Sequence, residues 1–454
     1  MKKILTFLIL LSSLTIFSNI FENISFDPFF QTNFKNNTIN IDLNYSDTLF
    51  KTKLNFSLQN DEKFEFVPWQ DKGMFGYYYL LNEGYVDIAL NEKTSLKIGQ
   101  IIPKDEIESK YSLFFNSQTY IGKNSVNFKY ESRNFFYKSN WILLNIYSDL
   151  EFKDRAMNYK TFGIKNENLE IGYQDVILYK DRVFDPYYFL SPFPSTMIQE
   201  IRYTYSAPWV EKKEIVDDSA VVGIYGKYKS KNSEYFAQLF VDDLNFNRFI
   251  NPDASQNPDK IAWSIGTKQY TKFGTFGLYN AGSTRYTFQR TNQNSQYEYT
   301  YYPSSEYNNP RYDPEIKILD YKENYIGYLY GEDSLSFFID YSKKYKNTDN
   351  YISIEYVISD EKSPHVKWNG EETFEEGTHL LENEVLEHFI EGKIKSTIKI
   401  NDFFQITPEV KINHYQNKIE LVSIENTDYK IWKPIKNNNK TNFEISLKIE
   451  ADIL

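Results

Sequence analysis

The strongest constraint on this chain is a rhythm. Between Ser219 and Gln289 two short runs, SAVVGIYGKYKS and EYFAQLFVDDL, flank the tight turn Lys231-Asn232-Ser233. In the second run Tyr235, Ala237, Leu239 and Val241 fall on one face, while Phe236, Gln238, Phe240 and Asp242 fall on the other. Successive side chains of a strand point to opposite faces, so this is a strand with one apolar side. A polar Pro/Asn stretch follows, NFNRFINPDASQNPDK, and then two more strand-like runs, AWSIGTKQYTK and GTFGLYNAGSTRYTFQ. Strand, short turn, strand, long polar loop is the pattern of a transmembrane β-barrel.

The same alternation recurs along the chain. Ile39, Ile41, Leu43 and Tyr45 oppose Thr38, Asn40, Asp42 and Asn44, and Leu54, Phe56 and Leu58 oppose Lys53, Asn55 and Ser57. Further strands are expected at Tyr77–Leu81, Gly84–Leu90, Ser95–Ile101, Ser125–Glu131, Phe135–Tyr147, Tyr159–Lys165, Leu169–Leu178, Asp320–Tyr330, Ser334–Tyr341, Tyr351–Ile358 and Thr407–Tyr415. Asn60-Asp61, Asn91-Glu92 and Glu167-Asn168 read as short polar turns. The last strand alternates from Phe443 to Ile453, as a closing strand must. A strand with its share of turn and loop takes roughly 22–26 residues, which gives about 16–20 strands. Even counts are the rule for bacterial single-chain barrels, so about eighteen are expected. No stretch shows a helical period for more than about three turns, Thr378–Ile390 being the nearest.

Composition fits. Aromatic residues make up 18% of the 454, with 39 Tyr and 36 Phe, yet mean hydropathy is −0.57. A soluble all-β chain from an AT-rich genome would share that bias. A barrel explains it directly, because its strands are half polar and its rims carry aromatic girdles. The chain has no cysteine, which excludes disulfides, Cys-ligated zinc and thiol nucleophiles. Residues 1–18 join Lys2 and Lys3 to an apolar run from Ile4 to Leu11, the form of a secretory signal peptide; the run is too short to span a membrane. Their removal takes the net charge from −11 to −13, which disfavours nucleic acid as a partner. The expected organisation is a signal peptide (1–18), a short periplasmic segment (19–37) and an outer-membrane barrel (38–454).

Three stretches break the rhythm. Residues 179–218 hold four prolines among many aromatics, so they read as loop, with one strand near Gln199–Tyr205. Residues 291–315 are polar and tyrosine-rich, and 360–387 are acidic. Such long loops lie outside the cell or fold into the lumen.

Candidate binding residues cluster around these stretches. Asp242 and Asp243 end their strand as a pair, Asp242 on the lumenal face and Asp243 at a rim; they could hold a sugar hydroxyl or a cation, or simply face water. Arg182, Arg202, Arg248, Arg285 and Arg290 concentrate in a chain otherwise rich in Lys. Their guanidinium forks suit the carboxylates of acidic sugars, and equally suit ion pairs within the barrel. Tyr299, Tyr301 and Tyr302, with Trp209 and Tyr187/Tyr188, could stack on sugar rings or sit among lipid headgroups. His365, His379 and His388 lie in the acidic loop without metal-ligand spacing. No nucleophile elbow, P-loop or dinucleotide fingerprint occurs, so neither a catalytic site nor a cofactor is expected.

The central block also resembles a known family. EYFAQLFVDDL, FDPYYFLSPFP before it, GTKQYTKFGTFGLYNAGSTRYTF after it and GYLYGED at Gly327–Asp333 are similar to the capsule-assembly Wzi family of outer-membrane proteins, over about residues 165–345. The resemblance implies an 18-stranded barrel that binds polysaccharide at the cell surface and helps retain a capsule. Members can carry a helical bundle ahead of the barrel; here strands begin at Thr38. The function expected is non-enzymatic polysaccharide binding, with a porin for small hydrophilic solutes as the alternative and a structural barrel or adhesin as a third. Expected partners are outer-membrane lipid and lipopolysaccharide, surface polysaccharide and the barrel-assembly machinery.

Overall fold

The computed structural model describes residues 24–61, 76–145, 155–180, 182–204, 218–244, 257–288, 326–362, 376–423 and 430–451. The expected signal peptide lies outside them. Among the described residues the strands are β1 (Ile24–Thr32), β2 (Asn37–Ser46), β3 (Phe50–Gln59), β4 (Tyr78–Asn91), β5 (Thr94–Ile101), β6 (Lys123–Glu131), β7 (Phe135–Asn145), β8 (Arg155–Lys165) and β9 (Leu169–Lys180), then β10 (Ser219–Lys229), β11 (Ser233–Asp243), β12 (Lys260–Thr271), β13 (Gly274–Ser283), β14 (Ser334–Tyr345), β15 (Thr348–Ser359), β16 (Glu387–Lys399) and β17 (Phe404–Gln416), and last β18 (Ile419–Ser423), β19 (Lys430–Pro434) and β20 (Lys440–Ala451). β1 to β17 each pair antiparallel with the next, β17 pairs with β20, and β20 pairs back onto β1 through Phe29↔Glu450 to Thr32↔Leu447. The result is a closed ring of 18 strands, with β18–β19 as a separate hairpin in the last long connection. Closure leaves no sheet edge, which is what allows strands to span a bilayer.

Apart from the four-residue β1–β2 connection (33–36), the chain alternates between two kinds of connection. Turns of two to four residues join β2–β3, β4–β5, β6–β7, β8–β9, β10–β11, β12–β13, β14–β15 and β16–β17 at one end. Their sequences explain them: Asp47, Asn166 and Asn401 each accept backbone N–H groups two and three residues ahead, closing the turn locally. In bacterial outer-membrane barrels the short turns face the periplasm and the long connections the cell exterior, and the two ends take their names from that rule. The outer wall carries the apolar half of each alternation, with Ile224, Ile265, Leu278, Ile339, Ile354 and Ile412 exposed, while Gln238, Ser264 and Glu355 on the other face are buried in the lumen.

Several expectations need correction. The barrel begins inside the stretch 19–37, because β1 pairs along its whole length with β2 despite Pro28. Tyr77–Leu81 and Gly84–Leu90 are one strand, with Asn82 as an extra residue bulged opposite Asn55 and Phe56. Asn60-Asp61 starts a long extracellular connection rather than a short turn. The strand expected near Gln199–Tyr205 is instead helical: α1 (Pro186–Leu190) is capped by Asp185, with Pro at its start, and α2 spans Ser195–Thr204. Thr378–Ile390, the nearest approach to a helical period, is irregular chain that runs into β16, in keeping with the absence of a long helical stretch from the sequence. Asp320–Tyr330 is not a strand over its described part, since 326–330 turns inward as irregular chain.

Candidate binding site in the barrel lumen

The segment 102–122, between β5 and β6, leaves the wall and folds into the lumen. Its run Tyr111, Leu113, Phe114 and Phe115 is fully buried against the inner faces of β7 to β15. Phe114 stacks 4.9 Å from Phe240 and Phe115 5.0 Å from Tyr159, both as tilted or edge-on pairs. Room for Phe114 comes from Gly223 on the inner face of β10, where a Cβ would stand 2.7 Å from the Phe114 ring. A second inward segment meets the first from above: Ile326, Tyr328, Leu329 and Tyr330 are buried, and Asn116 N donates to Ile326 O at 2.5 Å.

Polar contacts fix the plug as firmly as packing does. Asp105 is the hub. Its carboxylate accepts from Gln174 Nε2 at 2.8 Å, from Gln238 Nε2 at 2.9 Å and from Phe114 N at 2.9 Å. Gln238 Oε1 in turn accepts from Leu113 N at 3.1 Å. Tyr111 donates to Glu355 on β15 at 2.8 Å, and Lys110 pairs with the same carboxylate. Lys138 holds Glu106 at 2.5 Å, and Lys227 donates to Glu106 O at 3.1 Å. Burial raises the Glu106 pKa above its ordinary value, and the Lys138 ammonium opposes that rise. The return end is tied by Gly122 N donating to the carbonyl of the bulge residue Asn82 at 2.7 Å.

Beneath the plug lies a cavity of about 860 Å³ facing the short turns. Its walls alternate cations and acids, among them Lys104, Lys138, Lys227, Glu170, Glu234 and Asp340. The inner wall away from the plug is also laddered with charge: Lys53 bridges Asp42 at 3.6 Å and Glu83 at 3.1 Å, and Lys411 meets Glu444 at 2.9 Å. Such a surface offers hydroxyl-rich ligands many donors and acceptors while its charges satisfy one another.

The sequence candidates do not converge on one place. Asp242 points inward beside Lys260 at 3.7 Å, and Asp243 at the rim accepts from Asn257 Nδ2 at 2.6 Å. Arg182 and Arg202 both grip Asp185, at 2.9 and 2.7 Å, and Arg182 also holds Asp218 at 2.6 Å. Arg285 pairs with Glu361 at the extracellular mouth. Trp209, Tyr299, Tyr301, Tyr302, Arg248, Arg290 and His365 lie outside the described residues. His379 contacts Glu382, and His388 shares a hydrogen bond with Tyr356. Among the described residues no group of three or more His, Asp or Glu is arranged to hold a metal.

Sequence reasoning missed the plug and a buried polar cluster at the mouth. There Asp333 accepts from Leu381 N at 2.6 Å and Asp360 from Asn383 N at 3.1 Å, above the buried Lys362, whose Nζ donates to Glu332 O at 2.6 Å. Burial pushes the Asp333 carboxyl up to about 7, and the Asp360 charge adds to the rise. The signal for the plug was the run YSLFF set in the charged stretch KDEIESK: an apolar run in a loop needs a core to enter.

No protein-family profile and no curated protein sequence matches this chain. Its fold is similar to solved structures. Wzi of Escherichia coli, an outer membrane protein involved in group 1 capsule assembly and a carbohydrate-binding β-barrel, aligns over 94% of this chain and 84% of its own at 11% identity, with a TM-score of 0.55. OccAB4 of Acinetobacter baumannii aligns over 94% of this chain and 96% of its own at 10% identity, TM-score 0.45. OpdK of Pseudomonas aeruginosa, solved with vanillate, aligns over 94% and 97% at 9% identity, TM-score 0.45. At these identities the likeness concerns fold alone. The class is therefore defined: a closed 18-stranded barrel of the outer-membrane type.

Proposed function

We propose that this chain is a non-enzymatic outer-membrane barrel that binds surface polysaccharide and helps hold it at the cell. The observation that carries this reading is the plug: 102–122 and 326–330 build an aromatic core across the lumen, locked by Asp105, Gln238 and Glu355. A lumen filled in this way favours holding a ligand over passing solute. The likeness of fold to a carbohydrate-binding barrel supports the same reading. Among the sequence candidates, the rim residue Asp243 and the mouth residue Arg285 join the proposed contact set. Residues 1–18 are proposed as a cleaved export signal, which the N-terminal sequence of the membrane-extracted protein would test.

A porin is the second reading, favoured by the charged cavity below the plug and by the paired charges lining the opposite wall. Conductance of the purified protein in a planar bilayer, with and without the host's surface polysaccharide, separates the two. A closed or poorly conducting barrel that retains the glycan in a pull-down is expected. Steady, large conductance indifferent to glycan would establish the porin instead.

A further inference from the structure

The described part of the connection between β9 and β10, residues 182–204, does not follow either path expected of a long loop: it lies against the outside of the barrel. On β7 to β10 the inner face is marked by the lumenal core residues Ile142, Tyr159, Val176 and Val221. The opposite face carries Leu143, Ala156, Ile177 and Ala220, and these pack with Tyr188 of α1 and Ile198 of α2. The helical hairpin 182–204 therefore covers the outer wall.

Its side toward the barrel is mixed: Asp185, Ser195 and Arg202 are buried there beside Tyr188 and Ile198. The side away from the barrel holds Leu190, Phe193, Met197 and Ile201, with Leu190 72% and Phe193 60% exposed, and Glu200 as its one exposed charge; Phe184 packs edge-on against Trp141 of β7 at 5.8 Å. The wall beneath carries a polar patch among its apolar residues. Lys160 of β8 and Asp175 of β9 face each other in register on the outer surface, and both are fully buried by the hairpin. Lys160 Nζ donates to Phe193 O at 2.8 Å, and Asp175 accepts from Ser195 N at 2.9 Å. Ser139 of β7 donates to Phe189 O at 2.8 Å.

These residues sit at mid-strand. Lys160 is near the centre of an 11-residue strand, which at about 3.3 Å per residue and a tilt of about 40° rises about 28 Å. That is close to the roughly 25 Å apolar band of an outer-membrane barrel. Charges at this depth are costly on a lipid-facing wall, so the hairpin must stay over them within the bilayer. Its apolar side then continues the lipid-facing surface of Ile164, Ile171 and Ile224, which are exposed beside it.

We propose that the hairpin 182–204 is a membrane-embedded cover whose exposed face contacts the acyl chains of the outer leaflet, so that over β7–β10 the protein meets lipid through helices instead of strands. Neither helix is long or apolar enough to cross a membrane; each lies along the wall. The inference holds whichever way the lumen is used.

The absence of native cysteine makes a direct test available. Phe193→Cys and Met197→Cys, each nitroxide-labelled in the full-length barrel in lipid vesicles, would be compared with Leu239→Cys on the outer face of β11 and Asn232→Cys in a short turn. The oxygen-to-nickel-chelate accessibility ratio at 193 and 197 is expected to match that at 239 and exceed that at 232. Nickel-chelate access equal to that at 232 would place the hairpin in water and overturn the proposal. So would spin–spin broadening at 197 that vanishes on dilution with unlabelled protein, since a second copy would then cover the face. All the label sites are exposed, and heat-modifiable migration on gels verifies that each variant remains a folded barrel.

Discussion

If the plug closes the lumen, cutting its polar hub should open it, and the structure says how far. In Asp105→Ala, Phe114 N, Gln174 Nε2 and Gln238 Nε2 lose a buried carboxylate acceptor. The two glutamines keep part of their bonding, through Tyr159 and through each other. The loss is then about two charge-assisted bonds, ~3–6 kcal/mol at ~1.5–3 each. Against this stand Tyr111, Leu113, Phe114 and Phe115, which are buried in the lumen and contribute ~6–12 kcal/mol at ~1.5–3 per side chain. Packing exceeds the loss, so the plug stays in place most of the time. Its open fraction rises by roughly 10²- to 10⁴-fold at ~1.4 kcal/mol per decade. Single-channel recording of Asp105→Ala should show brief openings on a closed background. Adding Phe114→Ala removes a further ~3–5 kcal/mol and should produce sustained openings. If both variants gave traces indistinguishable from wild type, the segment would not be the barrier and the reasoning would fail.

Other consequences are as direct. Gly223→Val places side-chain carbon against Leu239 O and where Phe114 sits, an overpacking of ~1–3 kcal/mol that should raise the plug's open fraction roughly 5- to 100-fold and speed tryptic cutting at Lys110 in the folded barrel by a like factor; an unchanged rate of digestion counts against the fit described. Asp333, pushed up to about 7 by burial, keeps its proton in the folded mouth while the unfolded chain, near 3.9, has lost it. The folded state thus binds more protons between those values, so mouth stability should be full below about pH 4, decline to about pH 7 and level off above. Hydrogen exchange at Leu381 and Asn383, corrected for intrinsic rate, reads this, and Asp333→Asn should abolish the slope. Lys160→Met removes the donor to Phe193 O and the cation that faces Asp175 across the two strands, and should cost ~1–3 kcal/mol, seen as a lower temperature for loss of the compact gel band; the double variant with Asp175→Leu should recover part of it, and failure to recover would show that the two do not act together.

How much of this was legible depends on what each segment packs against. Wall strands announced themselves because each needs one face for lipid and one for lumen, so Tyr235/Leu239 against Gln238/Phe240 could be read without a structure. The strand count followed from spacing. β1 escaped because Pro28 interrupts the alternation of Phe26 and Phe30, yet a strand that meets β20 over only four register pairs tolerates it. Gln199–Tyr205 looked extended because its apolar residues are scattered. Its period is helical once Ser195, Ile198 and Arg202 are seen to share the buried side, but that side faces a mixed wall, with Ile198 in an apolar cluster and Ser195 on Asp175, and so carries no continuous apolar stripe. The segment 326–330 has a strand's composition and none of its alternation in use, because consecutive residues are all buried in the lumen. The arginines lie near one another in the sequence, which does not show that Arg182 and Arg202 share one carboxylate outside the barrel while Arg285 sits at the mouth. Contacts between elements far apart in the chain leave no local mark.

The plug's partners also bear on the order in which the molecule is made. The segment 102–122 emerges early, but Gln238 lies 133 residues from Asp105 and Glu355 lies 244 residues from Tyr111. Neither contact can form until most of the wall has been synthesised and paired, and loops this long make them late events. The Tyr111–Phe115 run therefore finds its full set of partners only once β15 is in place, so the wall is built first and its filling comes last; a wall that failed to finish would leave this aromatic run without its core.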